Sequence, residues 1–481
     1  MPSPWLGIEI GLGGLRANQR ALEITGHNIA NVHTEGYSRQ SPVFETTPAL
    51  DYPVASEPGQ IGTGVHIART NRYREMFLDL QYRKHSANYG YSKTLVDFYD
   101  QLEGVWQEPS DYNLRAHLDR FWDALQDLAN RPGAYDARVT VIESGKALVQ
   151  VAKSLHQQME DLGKSLEDRI QADVTELNRM ANDVAQLNEQ IARVQAQGQT
   201  AHDLEDKRDL LLDQMAAMAG VRWELTPAGR VTVYIGTHRL VNGAAAVPDP
   251  VDEVVGDATG AQYVLKWSSD SSAITLTSGE LAATLEARNV LLPYFSSKLD
   301  TLVSVVAGKI NWQHSQGWPQ SGDFFRGVNP KDPNASPPEE FTLDWNLFDV
   351  DPDIESDPWQ IAAAASGPTI TESDGENARK MAALFDAALS GLDNSTVGEY
   401  YRATEADLGV RARKERSVEE TLRIQVQQVR TLRDSTSGVT LDEEVARMIQ
   451  YQQAFGAAAR LITTVDEMLD KLINGTGAVG R

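Results

Sequence analysis

Two long amphipathic segments, one at each end of the chain, constrain its fold more than any other feature. The C-terminal segment (439–474) reads VTLDEEVARMIQYQQAFGAAARLITTVDEMLDKLIN. Its apolar residues recur at steps of three and four, at Leu441, Val445, Met448, Phe455, Ala459, Ile462, Leu469 and Ile473. This spacing is typical of a coiled-coil or bundle face. Thr440 as N-cap with Glu443 three residues later predicts the start of a helix, and Gly475 predicts its end.

The N-terminal segment (6–40) reads LGIEIGLGGLRANQRALEITGHNIANVHTEGYSRQ. It carries a matching apolar stripe at Ile8, Leu12, Leu15, Leu22 and Ile29. Between 6 and 30 it also holds five glycines, each of which costs up to about 1 kcal/mol against alanine in a helix. We therefore expect a helix that is frayed in the free subunit and orders when it packs among others.

The boundaries of the N-terminal helix carry further expectations. Ser3 and Pro4 are suited to its start, and Trp5 is expected to make an anchoring contact. Asn28 and Asn31 fit a helix exit, because asparagine tolerates the left-handed conformation, and Gly36, before Tyr37, supplies a turn. Self-association through the two termini is the hypothesis that these segments favour.

Between the termini, the hydrophobic periodicity predicts a mainly α protein with a β-rich insertion. Helical spacing covers 142–197, 203–220, 281–314, 381–389 and 400–433, whereas 231–235, 263–267 and 274–277 have strand character. We expect an elongated multi-domain subunit whose N- and C-terminal helices (1–40 and 434–481) pair as a coiled coil or helical bundle. A helical-bundle domain would comprise 41–220 and 368–433, with 221–367 as an inserted, partly β, outward-facing module. Within it, the proline-rich stretch 317–367 is expected to be dispensable for assembly, with Trp345 and Trp359 in a small local core.

Composition excludes several classes of protein. The chain has 481 residues and a formal net charge of −24, which argues against a nucleic-acid partner because such a partner requires a basic surface. No run approaches the roughly 20 apolar residues of a membrane span, so no membrane insertion is expected, and no cleaved secretory signal is recognisable at the N-terminus. Because the chain contains no cysteine, disulfides and thiolate metal sites are excluded.

No pattern supports catalysis or a cofactor. Gly163-Lys164-Ser165 lies inside a long helical pattern and lacks the first glycine of a phosphate-binding loop. The acidic run 349–353 lacks the turn glycine and the final glutamate of a calcium loop. The nine histidines include no HExxH pair. We expect no catalytic, cofactor-binding or metal-ligating residue.

The terminal segments resemble the paired signatures of the bacterial flagellar rod, hook and hook-associated family. The N-terminal match is Asn28-Ile29-Ala30-Asn31, Thr34, Gly36-Tyr37 and Arg39-Gln40, and the C-terminal match opens with Leu441-Asp442-Glu443-Glu444. The blocks 62–83 and 203–221 are also similar to that family. Within the family, the C-terminal segment is most similar to the hook-associated members.

This resemblance implies a non-enzymatic junction subunit that joins hook to filament. It implies as partners the hook protein, hook-associated protein 3, further copies of the chain in a ring, and a cytosolic export chaperone on the C-terminal helix. The location that it implies is the extracellular flagellum, reached without a cleaved signal peptide. Two alternatives remain at this stage: a flagellar rod or hook protein, and a coiled-coil adaptor or binding module with a ligand site in 221–367.

Overall fold

The computed structural model describes residues 5–51, 59–106, 113–243, 254–259, 262–319, 322–365 and 374–475. The structure is 66% helical with a few small sheets, which confirms the predicted fold class. Its helices are α1 (Leu6–Ala30), α2 (Met76–Trp106), α3 (Leu114–Asn130), α4 (Tyr135–Ala196), α5 (His202–Ala219), α6 (Glu280–Glu286), α7 (Leu292–Ser315), α8 (Pro352–Ser356), α9 (Glu376–Ala383), α10 (Val397–Ser437) and α11 (Leu441–Asp470). The predicted helix start at Ser3 and Pro4 lies outside the described residues.

The strands form small antiparallel pairs and one three-stranded sheet. In chain order they are β1 (Gln40–Thr46), β2 (Leu50–Asp51), β3 (Gln60–Ile61), β4 (Val65–Arg72), β5 (Arg222–Leu225), β6 (Val231–Ile235), β7 (His238–Val241), β8 (Val254–Thr259), β9 (Gln262–Trp267), β10 (Phe325–Arg326), β11 (Val328–Pro330), β12 (Phe341–Leu343) and β13 (Asp349–Val350). Strand β1 pairs with β4, and β5-β6-β7 form the three-stranded sheet. The predicted strand at 274–277 is wrong: its neighbour Ala273 makes one isolated bridge to Lys266, and no ladder continues from it.

The chain forms two compact units. Unit 1 comprises Met1–Asn88, Leu177–Glu253 and Leu422–Arg481, and unit 2 comprises Tyr89–Glu176 and Val254–Thr421. The predicted insertion 221–367 is therefore divided, with its β5-β6-β7 sheet in unit 1 and the rest in unit 2. Its longest element is helix α7, which is buried along most of its length.

Heptad spacing explains the long helix α4. Two runs of buried residues at steps of seven follow one another along it, at Leu148, Leu155 and Leu162, and then at Ile170, Leu177, Val184 and Ile191. Such a repeat keeps one apolar face turned toward neighbouring helices over many turns. The prediction of a long helix over 142–197 is confirmed, and those over 203–220, 281–314 and 400–433 are confirmed by α5, by the α6–α7 run and by α10.

The proline-rich stretch 317–367 belongs to the main core of unit 2. Phe324, Phe325, Phe348 and Ile361 are all at most 1% exposed and pack in the same cluster as helices α3 and α7. Trp345 packs against this cluster, so the predicted small local core is not separate. Deleting 317–367 would remove these aromatic side chains from the core, and we now expect it to unfold unit 2.

The run 280–315 is long and apolar enough to cross a membrane, judged by length and composition alone. Burial accounts for this composition, because Phe295, Leu299 and Leu302 of α7 are at most 1% exposed inside unit 2. An apolar helix that is buried on most sides is typical of a protein core.

Candidate assembly interface

The two terminal helices pack against each other along their length in antiparallel fashion. Glycines of α1 face apolar side chains of α11: a Cβ atom added at Gly7 would lie 3.0 Å from Val465 Cγ2, and one added at Gly11 would lie 2.6 Å from Ile462 Cγ1. A Cβ atom at Gly14 would lie 3.5 Å from the Cβ of Ala458. The glycines therefore allow the helices to approach closely, which offsets their poor helix propensity.

The strand pair β1–β4 covers another side of α1. A Cβ atom at Gly13 would lie 3.1 Å from the carbonyl oxygen of Val65, and the ring of Phe44 lies 5.9 Å from that of Tyr451 on α11. The buried face of α1 consists mostly of small residues, namely Leu6, Gly11, Ala17, Ala21, Ile24, Thr25 and Asn28. The N-terminal segment thus finds packing partners within its own chain.

The predicted α1 stripe lies beside this buried face. Leu12 is exposed, and Ile8, Leu15, Leu22 and Ile29 are half-buried. Trp5 occupies the N-cap position, where its side chain is 58% exposed. Most of the large apolar side chains of α1 thus remain accessible after it has packed on α11 and on the strands.

The predicted seam of α11 divides into two faces. Ile462 packs on Gly11, and Met448, Phe455 and Leu469 share its face by steps of seven residues; the first two are half-buried and Leu469 is buried. Leu441 and Val445 instead are exposed, as is Ile449. One face of α11 is therefore used within the chain, and a second apolar stripe faces solvent.

Asn28 joins the two terminal helices through its side chain, which is almost fully buried. Its Nδ2 donates to Glu444 Oε2 (2.9 Å) and to the carbonyl oxygen of Gln40 (2.8 Å). Its Oδ1 accepts from the hydroxyl of Tyr37 (2.8 Å) and from the backbone N–H of Gln40 (3.0 Å). Burial and the carboxylates of Asp203, Asp206 and Glu444 raise the pKa of Tyr37, so its hydroxyl keeps the proton that it donates. The amide of Asn28 thus has all its hydrogen bonds satisfied, as a buried polar group requires.

The expectations about caps need correction. Asn28 lies inside α1, and Asn31 is the C-cap with φ −103°, so neither adopts the left-handed conformation. Gly36 does adopt it (φ +78°), which confirms the predicted turn. Thr440 is the N-cap of α11 without a side-chain cap hydrogen bond. Glu443 does not complete a capping box, because its carboxylate lies 3.2 Å from Nη1 of Arg39.

We call the hydrogen bonds of Asn28 the joint between α1 and α11. A buried cluster of arginines and aspartates, which was not predicted from the sequence, lies next to this joint. Arg72 pairs with Asp206 (2.5 Å) and Asp209 (2.7 Å). The other short ion pairs are Arg74–Asp79, Arg83–Asp213 and Arg433–Asp213, each at 2.6 Å. The carboxylate of Asp206 also accepts from the backbone N–H of Ser38 (2.9 Å), which connects the cluster to the loop after α1.

Electrostatics keep Asp209, at the centre of this cluster, ionised. Burial raises the pKa of Asp209, but the guanidinium groups of Arg74, Arg72 and Arg83 outweigh it and hold that pKa at about 2. Asp206, Asp209 and Asp213 recur on α5 at steps of three and four, which places them on one helical face. The sequence signal for this cluster is the spacing of these carboxylates on an amphipathic helix, together with three arginines within 72–83.

Comparison with known proteins relates both termini and the middle of the chain to flagellar proteins. The family model described as "Flagellar hook-associated protein FlgK helical domain" matches residues 99–327. "Flagellar basal body rod FlgEFG protein C-terminal" matches residues 433–475, and "Flagella basal body rod protein" matches residues 8–37. The last two matches coincide with α11 and α1.

Several relatives match over nearly their whole length. The chain is 30% identical to flagellar hook-associated protein 1 of Bacillus subtilis, with 100% of both chains covered. It is 25% identical to flagellar hook-associated protein 1 of Salmonella typhimurium, with 97% of this chain and 99% of that protein covered. The solved structure of the flagellar hook junction protein FlgK from Burkholderia pseudomallei aligns with a TM-score of 0.62 at 16% identity, covering 74% of this chain and 100% of that chain. This last likeness concerns the fold.

Proposed function

The chain belongs to the family of flagellar hook-associated protein 1, and from this premise we propose that its terminal helix pair is the element through which it joins the hook to the filament. As a member of this family, it is a structural component of the bacterial flagellum at the hook–filament junction. The match of the helical-domain model across 99–327 favours a hook-associated subunit over a rod or hook protein, and over an unrelated coiled-coil adaptor.

The exposed apolar side chains of the terminal helix pair support the assembly proposal. The helices α1 and α11 are paired on one face yet keep accessible apolar side chains away from it. They are Leu12, beside the residue that faces Ile462, and Leu441 and Val445, beside the Glu444 that bonds Asn28. A soluble monomer rarely keeps a large contiguous apolar surface in water unless that surface binds a partner. Burial between subunits would remove these side chains from solvent, at roughly 25 cal/mol per Å² of apolar area.

The assembly residues that we propose are those of the two terminal stripes and of the joint between them. They are Trp5, Ile8, Leu12, Leu15, Leu22, Asn28, Ile29, Asn31, Gly36, Tyr37, Leu441, Val445, Met448, Phe455, Ile462 and Leu469. The exposed and half-buried side chains of α1, with Leu441 and Val445 of α11, would contact neighbouring subunits. Asn28, Tyr37 and the α11 face formed by Met448, Phe455, Ile462 and Leu469 would hold the pair together. The terminal pair would gain its final order on docking, so that the ordering entropy is offset by burial between subunits.

The proposed partners follow from the family. They are the hook protein, hook-associated protein 3, further copies of this chain in a ring, and a cytosolic export chaperone that binds α11 by its apolar face. We propose that the chain is exported without a cleaved signal to the extracellular flagellum, and that it is not an enzyme. Residues 1–40 and 434–481 would form the assembly domain, and 41–220 with 368–433 the helical body. The loops and hairpins of 221–367 that lie at the surface of their units would face outward.

The test is rescue of a bacterial strain that lacks its own hook–filament junction protein. We expect the wild-type chain to restore attached filaments and the variant Leu12→Asp to fail, because a charge would be buried between subunits. Val290→Asp is the matched control, since Val290 is also exposed (58%) but lies in unit 2, far along the chain from either terminus. If the wild-type chain leaves the filaments detached, the proposed function is wrong.

A further inference from the structure

A histidine links the start of helix α5 to strand β4 inside unit 1. His202 is the first residue of α5, and its side chain is only 15% exposed. Its Nδ1 lies 3.1 Å from Oε2 of Glu205, one turn further along α5. Its Nε2 lies 2.9 Å from the carbonyl oxygen of Thr70 on β4. Both ring nitrogens of His202 are therefore within hydrogen-bond distance of an oxygen atom.

Both of these oxygen atoms accept hydrogen bonds and have no proton to donate. The oxygen of Thr70 is a backbone carbonyl. The hydrogen bond from His202, aided by the charge of Arg72, lowers the pKa of Glu205 against the effect of burial, so its side chain is a carboxylate at neutral pH. A neutral imidazole carries one N–H group, whereas an imidazolium carries two. The two contacts of His202 therefore form together only when its ring is protonated.

Charged groups on three elements act on His202. The hydrogen bond to Glu205 has the largest influence and raises the pKa of His202 above its ordinary value, against burial and the charge of Arg72 on β4. The dipole of α5 also disfavours a cation at the start of the helix. The other charged and titratable residues of the adjoining groove are Arg20, Glu23 and His27 of α1 and Asp203 of α5.

Among these residues, His27 makes a second histidine contact to the start of α5. Its Nε2 lies 3.7 Å from the Asp203 carboxylate, and the two side chains are 43% and 58% exposed. Solvent screens a pair that is this exposed. His202 is the less exposed of the two histidines, and its contacts are shorter, so it dominates the link between α5 and β4.

We propose that His202 is a pH-sensitive link between α5 and β4, whose imidazolium holds both contacts and whose loss of a proton breaks one of them. Strand β4 packs on α1, where Gly13 lies against the carbonyl oxygen of Val65. The link therefore controls how firmly the strand pair that covers α1 is attached to α5. This inference goes beyond the proposed function, because it concerns the single subunit and does not depend on assembly.

The sign of the pH dependence follows from the raised pKa of His202. In an unfolded chain a histidine titrates near pH 6.5. The stabilisation by His202 is therefore fully present below pH about 6.5 and is lost as the pH rises through its higher folded value. Alkaline conditions loosen the link, and mildly acidic conditions strengthen it.

NMR titration of the histidine rings in the full-length chain tests the protonation of His202. Its signal is assigned by its absence in the variant His202→Gln. We expect His202 to titrate at higher pH than His33, an exposed histidine in the turn after α1 that serves as the matched control. The variant Glu205→Gln keeps the ring but removes the carboxylate, and should move the titration of His202 to lower pH. A His202 that titrates with His33 or below it, or that ignores Glu205→Gln, overturns the inference.

Urea unfolding at pH about 6 and about 8.5 tests the effect on unit 1. A fluorotryptophan at Trp223, read by fluorine NMR and assigned with Trp223→Phe, reports on this unit. For the wild type and His33→Gln, the equilibrium constant for folding should fall by about tenfold for each unit by which the folded pKa of His202 exceeds the unfolded value. His202→Gln should show a smaller fall. Equal falls in all three proteins would overturn the inference and leave the proposed function standing, because filament rescue is a separate measurement.

Discussion

Gly11 lies beneath the side chain of Ile462, and any Cβ at this position would stand 2.6 Å from Ile462 Cγ1. A Cβ atom added at Gly26, on the same helix, would have no described atom within 4 Å apart from its chain neighbours and the backbone of its own helix. Two glycines of one helix therefore have opposite roles. The first allows close helix packing, whereas the second lowers helix propensity without any such compensation.

The variants Gly11→Ala and Gly26→Ala should therefore differ in sign. We expect Gly11→Ala to destabilise unit 1 by about 1–3 kcal/mol through overpacking against Ile462. Gly26→Ala should be neutral or stabilising, by up to about 1 kcal/mol. Chemical denaturation followed by circular dichroism measures both. Equal effects of the two substitutions would show that the helices are not in close contact at Gly11.

His314 is a buried neutral imidazole in unit 2. Its Nδ1 donates to the carbonyl oxygen of Gly322 (3.0 Å), and its Nε2 accepts from the backbone N–H of Ala362 (3.0 Å). Burial lowers the pKa of His314 to about 4, below the value of about 6.5 expected for an unfolded chain. Protonation of Nε2 would break the bond to Ala362, so folding favours the neutral form.

Stability should therefore depend on pH in a defined window. The contribution of neutral His314 to the free energy of unfolding is fully present above pH about 6.5 and is lost progressively as pH falls toward 4. This loss amounts to about 2 kcal/mol between pH 7 and pH 5. Urea unfolding at these two values measures the loss. The variant His314→Gln removes the titrating group and should show a smaller loss; an unchanged loss would assign the pH dependence to other groups.

Helix α11 has one face that packs on α1 and a second, apolar face that is exposed to solvent. Ile462→Asp would place a charge against Gly11 and should open the terminal pair in the free subunit. Val445→Asp changes an exposed position and should leave the folded subunit intact while it blocks assembly. Thermal unfolding combined with filament rescue distinguishes the two variants. Loss of stability in Val445→Asp would mean that its side chain is packed within the chain.

Periodicity predicted the long helices α4 and α10, but it did not predict α2. The heptad spacing of Leu148, Leu155 and Leu162 predicted α4 because local pattern and burial agree there. It did not predict which face of α1 is buried, because small residues such as Ala17 and Ala21 give no hydrophobic signal by size. Large apolar side chains are therefore a poor guide to the buried face where two helices pack closely through small residues.

Long-range polar contacts could not be predicted from the sequence. Asn28 and Glu444 are separated by 416 positions yet share a hydrogen bond of 2.9 Å. No local pattern links them, although both lie in the terminal signatures. The same holds for Phe324 and Phe325, whose proline-rich surroundings suggested an outer module while the fold uses them in the core of unit 2.

In the molecule as a whole, the terminal helices α1 and α11 meet in unit 1 and form one element. The joint at Asn28 and the arginine–aspartate cluster attach that element to α5 and to the start of α2. Breaking a buried ion pair by removing one partner typically costs about 3–5 kcal/mol. We therefore expect this attachment to persist in the free subunit, where the exposed apolar side chains of α1 and α11 have no neighbouring subunit to contact.

Hydrogen–deuterium exchange on the free subunit and on assembled flagella tests whether the terminal pair completes its order on assembly. We predict that residues 5–30 and 441–470 exchange faster than α4 and α7 in the free subunit and become protected in the assembled state. Equal protection of these segments in both states would contradict ordering on assembly, because it would show that the terminal helices gain no protection from neighbouring subunits.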